Sequence, residues 1–183
     1  MVALAGRSHL TDVALYRFER LAAAPEARVQ LIQNPRSIAD RIVNGAKMEA
    51  INGVRYDPGY VRISYPNGDV PAEQGACTDV VIRALRHAGF DLQMLIHQDM
   101  RAHFGLYPKK WGLTAPDPNI DHRRVPNQMT FFRRFGTELP KSLTGGNLRN
   151  WQPGDIVYWD LANGHTGIIS NVKNSGGIAL VIH

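Results

Sequence analysis

Cys77 is the only cysteine in the chain, and it directly follows the turn-rich segment Gln74-Gly75-Ala76. It also opens the run CTDVVIRALRHAG, whose apolar residues Val81, Leu85 and Ala88 recur at helical spacing before Gly89 stops it. A thiol in the first turn of a helix meets free backbone N–H groups and the positive end of the helix dipole, which favour a thiolate. Such a nucleophile needs a base. His165 follows the turn Ala162-Asn163-Gly164 and opens the strand-like run HTGIISN. The next apolar run, GIALVIH, ends in His183. Antiparallel pairing of these two runs brings His183 within reach of His165, as an orienting partner for the base. A lone cysteine is ordinarily a small buried hydrophobe, and a strand-edge histidine an ordinary surface residue. It is their combination that points to acyl transfer through a thiolate.

Other polar residues admit two readings each. Asp79 complements the dipole of the helix that begins at Cys77, yet its charge opposes thiolate formation if it points at the sulfur. It is therefore expected to bind substrate or a loop backbone. In IDHRRVPN (Ile120–Asn127), Arg123 or Arg124 can grip a substrate carboxylate bidentately. Alternatively, the motif is a structural knot in which Asp121 pairs with an arginine and Asn127 caps a helix. His97, Asp99 and His103 have a spacing that does not place three ligands on one helix face, and His122 does not complete a set. No metal and no cofactor is expected.

The elements that must position these residues fall into two groups. A helix is predicted from Ser37, its N-cap, to about Ile51, with Ile38, Ile42, Ala46 and Ala50 as its stripe. Residues 52–76 read as loop, with only VRISY able to pair as a strand. After the Cys77 helix comes another, capped by Asp91, with Leu92, Leu95, Ile96 and Phe104 inward and Gly105 at its end. Residues 106–127 read as a Pro-rich polar connection, and MTFFRRF as the start of a short helix. Beyond Gly145-Gly146, DIVYWDL, HTGIISNV and GIALVIH are strand-like runs separated by turns. Helices first and an antiparallel meander after is the α+β pattern. Residues 1–34 read as a helical extension interrupted by Pro25, and 35–183 as the functional domain.

Composition narrows the classes. The 183 residues suffice for one domain with its own core. A single cysteine excludes an intramolecular disulfide framework. No apolar run is long enough for a bilayer span, and the first ten residues do not form a signal-peptide core. The net charge of +5 favours acidic polymers, but its scattered basic residues form no nucleic-acid motif.

Three blocks resemble the NlpC-type cell-wall cysteine peptidases, which have a papain-like fold. SYPNGDVPAEQGACTD places Tyr65 and Gly68 where that family has a tyrosine and a Gly-containing loop ahead of the nucleophile. WQPGDIVYW is similar to its Pro-Gly-Asp turn, and GHTGIIS followed by LVIH to its His-x-Gly-Ile strand and third polar residue. Within that superfamily the chain resembles the bacterial group called domain of unknown function 1287, through YDPGY, YPNGDVP, GACTDVVIRAL, HQDM, YPKKWG, DPNIDHRRVPN and QPGDIVYWDL, over roughly residues 35–183. Members of the group usually begin with an export signal and continue past the strand matching LVIH.

The resemblance implies a papain-like α+β fold, helices on a small antiparallel sheet, with Cys77, His165 and His183 as triad. It implies peptidoglycan stem peptides as substrate; the Cys77 N–H and a donor from Tyr65 are then the candidate oxyanion contacts, and Asp79, Arg123 and Arg124, read above from the residues alone, the candidate substrate contacts. A wall-directed enzyme made without a signal implies delivery by a dedicated secretion machine and an immunity partner, as for an antibacterial effector. The alternatives are a non-catalytic module binding wall or another acidic ligand, and an acyltransferase or deamidase acting on proteins.

Overall fold

The computed structural model describes residues 29–141, 150–159 and 164–183. Ser37 caps helix α1 (Ile38–Asn52): its Oγ accepts from Asp40 N at 3.0 Å while Asp40 Oδ2 accepts from Ser37 N at 3.1 Å. This reciprocal box satisfies two donors that the first turn leaves open. The N-terminal extension expected through residue 34 falls largely outside the described residues. Its last part, 29–34, carries no helix; Asn44 of α1 accepts from Ile32 N and donates to Ile32 O, fastening this segment to the domain.

Short strands β1 (Arg55–Tyr56) and β2 (Gln74–Gly75) pair in parallel and set up the entry to helix α2 (Cys77–His87). The VRISY segment forms no strand; its Ile63 N–H donates instead to the Asn119 side chain. Helix α3 (Leu92–His103) is capped by Asp91, as its spacing predicts, and runs into a 3₁₀ turn at Phe104–Leu106. A second 3₁₀ turn, Asp121–Arg123, leads into helix α4 (Val125–Phe135), which starts one turn earlier than MTFFRRF, with Pro126 in its first turn.

Strands β3 (Ile156–Trp159), β4 (His165–Lys173) and β5 (Ala179–Ile182) form an antiparallel meander in the order β3-β4-β5. The mixed α+β architecture expected from the sequence is thus present. Val81 and Leu85 of α2, Ile96 and Met100 of α3 and Ile168 of β4 are buried together, joining the helices to the central strand. Helices α1 and α2 cross so closely that a Cβ on Gly45 would lie 2.8 Å from Ala84 Cα. That contact locks α2, and the residue at its start, against α1.

Candidate active site

The start of α2 is fixed by a buried charge pair. Asp79 Oδ2 accepts from Ala76 N at 2.7 Å, closing the turn that presents Cys77. Arg123 grips the same carboxylate through Nε (2.8 Å) and Nη2 (2.9 Å). Its Nη1 and Nη2 also donate to Gly59 O and Asp57 O, tying the loop after β1 to the same point. Thr78 Oγ1 donates to Arg123 O at 3.0 Å. Of the two expectations for Asp79, the loop-backbone one is realised.

Cys77 is half-buried, and it lines a cleft of about 300 Å³ with His165, His183, Tyr56 and Gly75. Burial pushes its thiol pKa up and the Asp79 charge pushes the same way, while the backbone N–H groups of Thr166, Thr78 and Cys77 itself pull it down. The influence of the Thr166 backbone on the thiol and the shared cleft lining put Cys77 near the start of β4, where His165 stands. Burial dominates the helix-end effect, so the resting thiol is protonated at neutral pH rather than a ready thiolate.

His165 Nε2 lies 2.8 Å from His183 Nδ1. The two rings meet edge to face, and Trp159, the cross-strand partner of His165, packs its ring edge against the His165 imidazole at 4.9 Å between centroids. Burial lowers the pKa of both histidines, and their mutual repulsion lowers that of His165 further. Both are therefore neutral at pH 7, and one proton lies between them. When His165 Nε2–H is the donor, its Nδ1 carries a lone pair and can take a proton from sulfur. In that tautomer His183 Nδ1 is the acceptor and fixes the orientation of the His165 ring.

Glycines allow this approach. Gly164, just before His165, has φ of 72° and packs against Val125, where a Cβ would lie 2.8 Å from Cγ1. A Cβ on Gly167 would lie 2.6 Å from Ile182 O and 3.0 Å from His183 Cβ. His183 reaches His165 because position 167 has no side chain.

The structure separates the remaining candidates from the cleft. Arg123, expected to hold a substrate carboxylate, spends its donors on Asp79 and two carbonyls and is 8 % exposed; with Asp79 it belongs to the scaffold. Arg124 pairs with Asp121 at 3.0 Å and lies over the Trp111 ring, so the structural-knot reading of IDHRRVPN is the one observed. Asn127, expected in that reading to cap a helix, instead donates its amide to Asp121 O. Within the stretch 106–127 expected as a polar connection, Asp121, His122, Arg123 and Asn127 are buried rather than exposed. Tyr65, expected to supply an oxyanion donor, is not among the residues lining the cleft; it precedes the cis bond to Pro66 and its ring packs on His97. Asp99 is held by Arg134, Tyr107 and His103. Among the described residues no group of three or more metal-ligating side chains is placed to hold an ion, and no helix is long and apolar enough to cross a membrane.

Tyr56, Glu49 and Arg83 line the cleft without having been expected there. Tyr56 arrives through a two-residue parallel pairing with Gly75, a contact too short to leave a periodicity.

The family model for a domain of unknown function, DUF1287, matches residues 43–183, and so contains all three candidate catalytic residues. The chain belongs to that family. It is 48% identical over 164 residues to the uncharacterized protein YijF of Escherichia coli (strain K12), an alignment covering 88% of this chain and 77% of that protein. No solved structure matches it.

Proposed function

We propose that the protein is a cysteine amidohydrolase that cleaves amide bonds in the stem peptides of bacterial peptidoglycan. The observation that carries this is the convergence of three residues distant in sequence on one solvent-reachable cleft: Cys77 at a helix start, His165 at a strand start, and His183 hydrogen-bonded to His165. A helix-borne nucleophile facing a base and an orienting residue on adjacent antiparallel strands is the arrangement of papain-like enzymes. The resemblance of the sequence blocks around these residues to NlpC-type peptidases supports both that fold and a wall-peptide substrate. Such a substrate puts the working enzyme in the cell wall or periplasm, and delivery as an antibacterial effector with an immunity partner is one form of this reading.

His165 Nδ1 removes the Cys77 proton as the sulfur attacks the carbonyl carbon and an S–C bond forms. The resulting oxyanion takes hydrogen bonds from N–H groups at the start of α2. Collapse breaks the C–N bond, and His165 returns its proton to the leaving amine. Water then attacks the thioester, again losing a proton to His165. The S–C bond breaks, releasing the carboxylic acid and the free thiol.

Digestion of purified sacculi, with mass spectrometry of the soluble fragments, tests the reading. Wild-type protein is expected to release muropeptides cut at one amide bond, and Cys77→Ala to release none. Equal release by a folded Cys77→Ala variant removes the proposal.

A further inference from the structure

Tyr158 of β3 stands opposite Thr166 of β4, the residue after the base, and the Thr166 backbone acts in turn on the Cys77 thiol. The Tyr158 hydroxyl donates to Gln128 Oε1 of α4 at 2.9 Å. Gln128 is fully buried, and its other end donates to His122 O at 2.8 Å and, more loosely, to Thr78 O at 3.4 Å. Two carbonyls at one end fix that end as the amide nitrogen, so the oxygen faces the phenol and the phenol is the donor. Thr78 is the residue after the nucleophile. One buried amide therefore reaches from the helix turn that carries Cys77 to the strand pair that carries His165.

Neither Tyr158 nor Gln128 lines the cleft, and the proton transfers use neither. Burial pushes the phenol pKa well up; the Thr166 side chain pulls it back, and the Cys77 charge raises it again. The phenol thus keeps its proton, and its bond to Gln128, at working pH, close enough to the sulfur to sense its charge. Helices and sheet also meet through the apolar core of Val81, Leu85 and Ile168. Apolar burial is non-directional, whereas a hydrogen bond acts only over a narrow range of distance and angle. Proton transfer from sulfur to imidazole depends on placement at that scale, since a displacement of about 1 Å can cost about 10²-fold in rate.

We infer that Tyr158 and Gln128 are positioning residues for the Cys77–His165 pair, their bond setting how far the start of β4 stands from the start of α2. The inference rests on the amidohydrolase reading of that pair.

Acylation of the full-length protein by p-nitrophenyl acetate is the test, because it reads the pair without a wall substrate. Cys77 takes the acetyl group as an S–C bond forms and the ester C–O bond breaks; p-nitrophenolate leaves and the thiol proton passes to His165. Wild-type protein is expected to give a burst whose rate levels off near neutral pH. Tyr158→Phe keeps its ring against Phe132, 6.3 Å away between centroids, and loses only the hydroxyl. It is expected to slow the burst at least tenfold at pH 7 and to let the rate climb on through pH 9, as for a thiolate working without its base. Alkylation by iodoacetamide at pH 9, which needs the thiolate alone, is expected to stay within twofold of wild type. Gln128→Asn, one methylene too short to span the gap, is expected to show the same pattern and serves as the test where Tyr158→Phe does not fold. A folded variant with the wild-type burst rate overturns the inference. So does equal slowing of burst and alkylation, which would mean a general loosening around the sulfur. A burst that depends on Tyr158, in a protein that leaves sacculi uncut, overturns the wall-peptide reading alone. A wild-type protein with no Cys77-dependent burst overturns both.

Discussion

Arg123 and Asp79 form a bidentate ion pair in which each side chain is only 3 % exposed, and the same carboxylate closes the turn that presents Cys77. The pair therefore connects the buried 3₁₀ turn ahead of α4 to the first residue of α2. Removing one partner strands the other charge in a dry site, which costs about 3–5 kcal/mol. Arg123→Ala is expected to lose stability of that order in urea unfolding. Arg123→Lys should recover little of it, because an ammonium cannot reproduce the planar fork that also reaches Asp57 O and Gly59 O. A midpoint within about 1 kcal/mol of wild type for Arg123→Ala would show that the pair does not hold the turn.

The His165–His183 contact predicts a graded loss of activity. His165→Ala removes the base and should lower kcat by about 10²–10⁴-fold. His183→Ala leaves the base in place but frees its tautomer and orientation, so the loss should be smaller, roughly tenfold, and His183→Asn should restore part of it. Steady-state release of muropeptides by the variants checks the order. A His183→Ala enzyme as inactive as His165→Ala would mean that His183 takes part in proton transfer itself.

Gly167 gives a separate handle on the same contact. An added Cβ meets Ile182 O at 2.6 Å and Val181 Cγ1 at 2.7 Å, so β5 must move, and His183 with it. Overpacking of this kind costs about 1–3 kcal/mol. Gly167→Ala is expected to stay folded at 25 °C yet to match or exceed the activity loss of His183→Ala. Unchanged activity in a folded Gly167→Ala protein would show that the position of β5 does not govern the base.

The placement of Cys77, His165 and His183 was legible in the sequence because each sits at the boundary of a strongly periodic element. Caps at Ser37 and Asp91 are local signals and fell where the spacing put them. The roles of Arg123 and Tyr65 were not legible. Whether an arginine faces solvent or a carboxylate 44 residues away is decided by tertiary packing, which periodicity does not encode. Asp79 illustrates the same limit: its position in the first turn is explicit, but its ion pair is visible only once the chain folds the 121–123 turn against α2. The raised thiol pKa also escaped, since helix-end placement argues one way and burial, unknown in advance, argues the other.

That raised thiol has a measurable consequence. With the Cys77 pKa above and the His165 pKa below their ordinary values, the resting pair is neutral between them. Alkylation by iodoacetamide should therefore keep accelerating as pH rises through 8 and 9, following thiolate formation. Turnover should instead rise below pH 6.5 and level off near neutrality, because it requires only the unprotonated imidazole. An alkylation rate already flat between pH 5 and 7 would indicate a preformed thiolate–imidazolium pair and would contradict the burial argument.

His122 predicts how the fold responds to acid. The residue is 2 % exposed and its Nδ1 has no hydrogen-bond partner. Burial first, then the charges of Arg123 and Arg86, lower its pKa to about 4, against the weaker pull of Asp91 and Asp69. In the unfolded chain an ordinary histidine takes up its proton near pH 6.5. Between about pH 6.5 and 4 the unfolded state thus binds more protons than the folded one, and stability falls as pH falls through that window. The full difference corresponds to about 3 kcal/mol. Wild-type protein is expected to lose most of this between pH 6.5 and 4.5, read as a drop in the urea midpoint. His122→Gln, which carries no titrating group, should show a shallower slope over the same range even if it is less stable at pH 7. Parallel slopes for the two proteins would assign the acid sensitivity to other groups.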